Sequence, residues 1–294
     1  MPTYDFHTRG PILVTVGLDL GAVRVTAGDR PGVTVSVRPR NRHDACDTAT
    51  ARAARVRCTA QELTVTASRS RDSDGSGAVL VDIRVPAGSR MHGTALAADF
   101  DCEGEVGECR IVTGCGHVRL GRSGPVYVSS ALGNVSVDRV AGDLEAVAGC
   151  GDIAVRRIDG AADINRGTGG VRIGTALGDV RVYADSGDLS IDRAHGAVEA
   201  RAAQGDIQVG RALRGPLVLE TASGMLDVGI PEGLGASLDL DSHVGTVYRT
   251  LDFVESGAEA PAGNGGDGTT VKVTARTIIG DILIRRTSHG QDVI

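Results

Sequence analysis

The stretch Cys150–Ile158, CGDIAVRRI, returns in altered form both earlier and later in the chain. It reads LGNVSVDRV from Leu132, SGDLSIDRA from Ser186 and QGDIQVGRA from Gln204. Glycines recur in steps of nine, at positions 124, 133, 142, 151, 160, 169, 178, 187, 196 and 205. A fixed period of this kind indicates a repeat architecture, in which each repeat is one supersecondary unit stacked on the next.

Within each repeat, the second and fourth residues after glycine are apolar, as Ile153 and Val155 are after Gly151. Alternation with a period of two over about five residues predicts a half-buried β-strand. Alternate repeats differ, because every second one, apart from that at Gly169, carries a polar residue directly after glycine and an arginine six residues after it. We therefore predict an all-β parallel β-solenoid with two strands per coil of about 18 residues. Crossovers between parallel strands favour a right-handed coil.

Outside the regular repeats, alternating runs predict further strands, and residues 44–57 predict a short helix capped by Asp44 or Asp47. Residues 1–90 are expected to form a β-rich cap and the first coils, with turns at Gly21 and after Gly28. Residues 91–287 are expected to form the regular solenoid, interrupted by a flexible loop at 255–270. Residues 288–294 are expected to be a frayed tail, and the whole chain one continuous domain.

Composition narrows the possible functions. Aromatic residues make up 2% of the 294 residues, which predicts a thin aliphatic core. The net charge of −6 argues against a nucleic-acid-binding protein. The early apolar run is broken by Gly17 and Asp19, so we expect no signal peptide, no membrane span and a cytoplasmic location.

Metal and cofactor chemistry is not expected. The six cysteines contain no C-x-x-C pair, so the sequence predicts buried thiols that act as small apolar residues instead of a zinc site. The repeat has two inward apolar residues and usually one glycine, unlike calcium-binding nonapeptides, and offers too few oxygen ligands per turn. No Walker loop and no hydrolase or zinc-protease motif is present.

The chain resembles the bacterial DUF4097 family of adhesin-like proteins. The resemblance lies in PILVTVGLDLGAVRVTAGD from Pro11, VDIRVPAGSRM from Val81, the serial GDI-x-V coils, and TARTIIGDILIRR from Thr274. It covers nearly the whole chain. The resemblance implies a β-solenoid but no established biochemical activity, and "adhesin" is there a label by analogy with surface β-helices.

Candidate site residues lie in outward columns, where equivalent positions of successive coils stack about 4.8 Å apart. Glu145, Asp163 and Arg181 occupy one such column, so two carboxylates one coil apart could act as a general acid with an arginine beside them. The alternative is a solvated charge ladder. Tyr127, Tyr183 and Glu199 are the candidates for a binding face.

Corner residues form the second group of candidates. Aspartates that follow the turn glycines are expected to accept backbone N–H groups, and the arginine column either pairs with opposite charges or binds phosphate. His117 lies where the glycine step shortens to eight, which could open a groove. His195 lies two coils from Asp159, too far for a direct dyad. Solvated turn histidines are the alternative for both.

Three functions remain open from the sequence. The first is a non-catalytic interaction module that docks a protein partner, or a second copy, on a solenoid face or end. The second is a small-molecule enzyme, such as an isomerase or cyclase, with an apolar pocket beneath residues 38–78 or 255–270. The third is a surface adhesin, which requires export.

Overall fold

The computed structural model describes residues 3–29, 31–68, 77–250 and 270–287. Its contacts divide the chain into two units, Met1–Gly160 with Ile164–Gly167, and Ala161–Asp163 with Thr168–Ile294. The predicted loop at 255–270 lies, apart from Thr270, outside the described residues, as does the predicted tail at 288–294. The prediction of one continuous domain with a cap ending near residue 90 stays a prediction.

Strands dominate the first unit. Its elements are β1 (Thr3–Phe6), β2 (Leu13–Gly28), β3 (Val33–Pro39), α1 (Ala45–Ala53), β4 (Arg55–Cys58), β5 (Glu62–Ala67), β6 (Ala78–Pro86), β7 (Arg90–Val106), β8 (Cys109–Cys115), β9 (Val118–Ser123), β10 (Val126–Leu132), β11 (Val135–Val140), β12 (Leu144–Cys150) and β13 (Ile153–Ile158). The division between the units falls within β14 (Ala162–Thr168).

The second unit continues the same pattern. Its elements are β15 (Val171–Ala176), β16 (Val180–Ser186), β17 (Leu189–Ala194), β18 (Val198–Gln204), β19 (Ile207–Ala212), β20 (Pro216–Ser223), β21 (Leu226–Pro231), β22 (Gly235–Val244), β23 (Val247–Thr250), β24 (Thr270–Ile279) and β25 (Ile282–Thr287).

The first unit confirms the predicted coil of two parallel strands. In its first sheet, β8, β10 and β12 pair in parallel with Cys109, Val126 and Leu144 in register. In its second sheet, β9, β11 and β13 pair in parallel with Val118, Val135 and Ile153 in register. Because partners in register occupy the same place in successive coils, the sequence repeat is a structural unit. The right-handed winding stays a prediction.

Two long strands, β2 and β7, link these sheets. The runs on either side of Gly21, predicted as separate strands with a turn between them, form the single strand β2. The first half of β2 pairs with β5 and β7, and its second half pairs with β6 and β7. The φ angle of 143° at Gly21 lets the backbone change direction without ending the strand.

The N-terminal part of the first unit contains antiparallel strand pairs and the helix. β3 pairs antiparallel with β6, β1 with β3, and β4 with β5. The helix α1 confirms the short helix predicted within residues 44–57, and Asp44 is its N-cap. The buried Asp47 carboxylate accepts backbone N–H bonds from Asn41 and Ala78, at 2.8 and 2.6 Å, and so ties the helix to β6.

The core is a thin layer of aliphatic side chains, as the scarcity of aromatic residues predicts. The inward residues of the coils, such as Val128, Val137 and Ile153, are almost completely buried. Phe100 is the largest fully buried side chain. The prediction of buried thiols is right for Cys102 and Cys109 but wrong for two cysteines, which are exposed at strand ends: Cys115 and Cys150.

The second unit has the same two-stranded coils but a different order at its C-terminal end. Its first sheet runs β16–β18–β20–β24–β22, and its second sheet runs β15–β17–β19–β21–β25–β23, all in parallel. The last two strands in the sequence, β24 and β25, are therefore inserted between earlier coils. They confirm the two strands predicted from VKVTARTIIGDILIRRT.

Candidate binding face and polar clusters

A charged network covers the outward face of the first sheet of the second unit. Arg181 lies in register with Glu199, and Tyr183 lies in register with Arg201 on the next strand. Arg201 in turn lies in register with Glu220 on β20. These five residues, which we call the Tyr183 face, come from three neighbouring strands.

Direct contacts join the members of the Tyr183 face. The Tyr183 hydroxyl donates a hydrogen bond of 3.0 Å to Glu199 Oε1. Arg201 lies 3.2 Å from both Glu199 and Glu220, and its guanidinium lies 6.0 Å from the Tyr183 ring centre. Arg181 lies 3.8 Å from Glu199. The hydrogen bond to Glu199 raises the pKa of Tyr183, so the phenol keeps its proton and stays a donor.

The first unit carries a smaller cluster on the corresponding sheet. The guanidinium carbon of Arg110 lies 4.1 Å from the Tyr127 ring centre, which is cation–π geometry. Glu145 lies in register with Tyr127 on the next strand. Of the predicted binding residues, Tyr183 and Glu199 are thus in one network together with Arg181, and Tyr127 belongs to this second cluster. Because Glu145 and Asp163 fall in different units, the predicted carboxylate pair stays a prediction.

The polar residues after the turn glycines form ladders along the coil corners. Asp99 Oδ1 accepts the backbone N–H of His117 at 2.7 Å, and Asn134 Oδ1 accepts that of Asp152 at 3.0 Å. In the second unit, Asp188 accepts the N–H of Asp206 in the same way. This confirms the turn role predicted for Asp188, and Asp99, which follows Ala98 and was not predicted, has the same role. Each bond joins one coil to the next.

His117 is a member of this ladder in a position that aspartate or asparagine holds elsewhere. Its Nδ1 accepts the backbone N–H of Asn134 at 3.2 Å. Replacing His117 with alanine is expected to lower the free energy of unfolding by about 1 kcal/mol, because the acceptor is lost. His117→Asn, the matched control, retains an acceptor and should remain within about 0.5 kcal/mol of the wild type. Equal losses in both variants, measured by urea unfolding, would exclude the ladder role.

Asp159 neutralises two arginines of the arginine column in the first unit. Asp159 Oδ2 accepts from Arg139 Nη2 and Nε at 2.6 and 2.9 Å, and its Oδ1 accepts from Arg157 Nε at 2.7 Å. Since Arg139 and Arg157 lie in register on neighbouring strands, one carboxylate relieves the repulsion between two stacked cations. The contact supports the opposite-charge interpretation of these two arginines.

This cluster predicts a pH dependence of stability. Hydrogen bonds from Arg157, and then from Arg139, hold the pKa of Asp159 below its ordinary value. A depressed folded-state pKa contributes stability above the unfolded-state pKa of about 3.9, and that stability is lost as pH falls through the lower folded-state value. We expect Asp159→Asn to be less stable than the wild type at neutral pH. The difference should shrink as the pH falls below the ordinary aspartate range, when measured by denaturant unfolding. A constant difference across that range would contradict the assignment.

A charged cleft of about 380 Å³ lies on the outward face of the second sheet of the first unit. His117, Arg119, Asp101 and Arg24 are among the residues that line it. Arg24 lies 3.6 Å from Asp101. Within the described part of the chain, Arg119 has no ion-pair or hydrogen-bond partner for its guanidinium. The cleft therefore combines a free cation with carboxylates that are already paired or hydrogen-bonded.

The other histidine candidate, His195, stays a prediction as a site residue. His195 is half-buried at the corner before β18, and its backbone N–H donates to Ala176 at 2.9 Å. Its relation to Asp159, which belongs to the other unit, stays untested. Across residues 3–29, 31–68, 77–250 and 270–287, no three His, Cys, Asp or Glu residues come together as metal ligands. In the same ranges, no helix is long and apolar enough to cross a membrane.

Three members of the Tyr183 face and the Tyr127 cluster were not among the sequence candidates: Arg110, Arg201 and Glu220. Arg110 occupies the same outward column as Tyr127, one coil earlier. Arg201 and Glu220 occupy the column of Tyr183, in the two following coils. Extending each tyrosine column by one or two coils would have identified them from the sequence.

Comparison with known proteins gives a family but no curated relative. The Toastrack DUF4097 family model matches residues 22–285. Among solved structures, a candidate adhesin from Parabacteroides merdae aligns at 10% identity with a TM-score of 0.40, over 97% of this chain and 95% of that one. A candidate adhesin from Parabacteroides distasonis aligns at 14% identity with a TM-score of 0.33, over 97% and 96% of the two chains. No curated protein matches the sequence significantly.

Proposed function

We propose that this chain, which belongs to the Toastrack DUF4097 family, is a non-catalytic module that docks a protein partner on its outer surface. The observation that carries the proposal is the Tyr183 face. Its five side chains satisfy one another on an outward sheet face, and none of them lines the charged cleft. The side chains of the Tyr183 face therefore present a partner protein with a defined shape and with charged groups.

The residue types of the Tyr183 face support this function. Tyrosine and arginine are the residues in which binding energy concentrates at protein interfaces. The side chain of Arg181 is 64% exposed and that of Arg201 is 51% exposed, so a partner can reach both cations. The parallel sheet beneath holds the tyrosine and the carboxylates in place, which lowers the entropy lost when a partner binds.

Affinity capture with matched variants tests the proposal. Full-length tagged protein should retain a specific partner from its own cells, and Tyr183→Ala or Arg201→Ala should reduce its recovery by about tenfold or more, as loss of a hot-spot side chain does. The control is Arg172→Ala, which removes an exposed arginine from β15 in the second sheet of the same unit. Equal recovery with the face variants and the wild type would contradict docking on this face.

A second function, the binding of a small anionic ligand, is favoured by the charged cleft of the first unit. Among the described residues, the Arg119 guanidinium has no counter-charge in contact, and it lies beside the Arg24–Asp101 pair. A small carboxylate is the ligand class that such a fork suits. Titration with carboxylates should shift the amide signals around Arg119, and Arg119→Ala should abolish the shift. An unchanged shift in that variant would exclude the site.

An isomerase or cyclase would need the apolar pocket expected beneath residues 38–78 or 255–270. Of residues 38–78, Arg38 lines the cleft, and half of the residues that line it are charged. We therefore place this enzyme function below the two binding functions. A cytoplasmic location remains part of the proposal, and recovery of the intact chain in the cell-surface fraction would instead support an adhesin.

A further inference from the structure

Among the residues that the structure describes, the C-terminal coil of the second unit has a long strand edge with no partner strand. β22 pairs with β24 and, among the described residues, with no other strand, and β23 likewise pairs with β25 alone. The edge strands β1 and β4 of the first unit are four residues long, whereas β22 has ten. An edge of that length presents a row of backbone donors and acceptors, which is a template for another strand.

The inward side chains of β22 are less buried than those of its neighbour in the sheet, β24. Ala236, Leu238 and Leu240 are half-buried. Their partners in register on β24 are completely buried: Val271, Val273 and Ala275. The apolar row of β22 therefore covers β24 but is itself covered incompletely. A strand added at this edge would bury the row on its open side.

Exposed apolar side chains extend this surface at the coil corner. Val244 and Ile279 lie in register on β22 and β24, and they are 57% and 56% exposed. Ile278 is 54% exposed beside them. Large apolar residues grouped in this way, next to an open edge, are typical of an interaction site. We call β22 together with these corner residues the β22 edge.

Hydrogen bonds hold the β22 edge in the strand conformation before any partner arrives. Arg286 Nη1 donates to the carbonyl oxygens of Pro231 and Leu234, at 3.1 and 2.8 Å, and fixes the turn that leads into β22. At the other end, the Ser242 hydroxyl donates to Gly280 O at 2.8 Å. A preformed edge loses little conformational entropy on pairing, so backbone bonds contribute more of their energy to binding.

The charges on β22 determine which kind of strand can pair with it. The outward residues Asp239 and Asp241 are exposed, and Arg276 of β24 lies 3.6 Å from Asp239 on the side that is already covered. A second copy pairs poorly. Of the antiparallel registers that keep both apolar rows on one face, the two longest place Asp239 opposite itself or opposite Asp241. Like charges directly opposite destabilise a strand pair. A cation on the added strand would instead repeat the contact that Arg276 makes.

We propose that the β22 edge binds an extended segment of a partner protein in which apolar residues alternate with lysine or arginine. The segment adds one strand to the first sheet of the second unit, its apolar residues cover Leu238 and Leu240, and its cations face Asp239 and Asp241. This recognition mode takes affinity from backbone bonds and specificity from alternate side chains. The inference rests on the proposed function, of which it names one docking element and its partner chemistry.

The probe for this site is a fluorescent peptide as long as β22, in which valine alternates with lysine. The full chain should bind it, and the amide protons of β22 should become protected from exchange. Methylating the peptide nitrogens at every second residue removes the donors on one edge of the peptide. Of two such peptides, one methylated at odd and one at even positions, one should bind more weakly than the parent by about tenfold or more. Equal binding of the parent peptide and both methylated forms would overturn strand pairing.

Charge exchange tests the partner chemistry. The double variant Asp239→Lys with Asp241→Lys should weaken binding of the lysine peptide and bind a peptide with glutamate in place of lysine. The control is Asp185→Lys, which alters an exposed aspartate of β16 and should bind as the wild type does. Absence of binding by the parent peptide, or the same loss in the control, would overturn the inference. If the peptide fails while the Tyr183 variants still lose the captured partner, the proposed function stands without this edge.

Discussion

Replacing Gly187 with alanine is expected to lower the free energy of unfolding by about 3–5 kcal/mol, through strain at a glycine-only backbone conformation and a clash with the neighbouring coil. The φ angle at Gly187 is 125°, which side chains other than glycine rarely adopt. A Cβ atom there would lie 1.8 Å from the carbonyl oxygen of Gly169. Because that oxygen belongs to the backbone of the neighbouring coil, the clash cannot be relieved by moving a side chain. Denaturant unfolding followed by circular dichroism measures the loss.

Gly28→Ala is the matched control for this substitution. Gly28 lies in a strand, and a Cβ atom at this position would meet no atom within 4 Å. Its replacement should change the free energy of unfolding by no more than about 1 kcal/mol, and the sign should favour the folded state. A loss at Gly187 no greater than the change at Gly28 would contradict the tight stacking of coil corners.

Phe100→Ala is expected to cost about 3–5 kcal/mol, because it deletes the largest buried side chain from a thin aliphatic core that has little other bulk to fill the cavity. Phe100 is 1% exposed and lies on the inward side of β7. Thermal and denaturant unfolding of the purified variant measure the loss. A loss below that of an ordinary Ile→Val substitution, about 0.5–1.5 kcal/mol, would contradict this account of the core.

Gly93 gives the phenylalanine prediction a second, independent test. A Cβ atom at Gly93 would lie 2.5 Å from Phe100 Cε1, so the ring occupies space that glycine leaves free. Gly93→Ala alone should destabilise the protein by about 1–3 kcal/mol through overpacking. In the Phe100→Ala background the same change should be neutral or stabilising, because the methyl group fills the cavity. Additive losses in the double variant would mean that the two residues do not share this space.

The sequence predicted the coil well because every coil repeats the same steric environment. Ile153 and Val155 could be assigned to the core from their spacing after Gly151, and the structure buries both. The corner aspartates could be assigned in the same way, because a carboxylate after a turn glycine has backbone donors within reach. In CGDIAVRRI, Ile153, Val155 and Ile158 fill the core and Arg157 pairs with Asp159, so the repeat is half a coil.

Other features could not be derived from the repeat, and each has a physical reason. Strict alternation would turn Cys115 inward, but the alternation of burial stops before the end of β8, so the thiol is exposed. The insertion of β24 and β25 between earlier coils leaves the period unchanged, so spacing cannot reveal it. Columns are visible in the sequence, but contacts such as Tyr183 with Glu199 join different columns and depend on side-chain conformation.

The Tyr183 face is tested most directly by photo-crosslinking in cells that produce the full chain. A photoreactive phenylalanine analogue is placed at Tyr183 and, in a separate variant, at Arg172 in the second sheet of the same unit. The account predicts a discrete adduct with one partner protein from position 183, lost when Arg201→Ala is added, and no such adduct from position 172. The same adducts from both positions, or none from position 183, would contradict docking through this face.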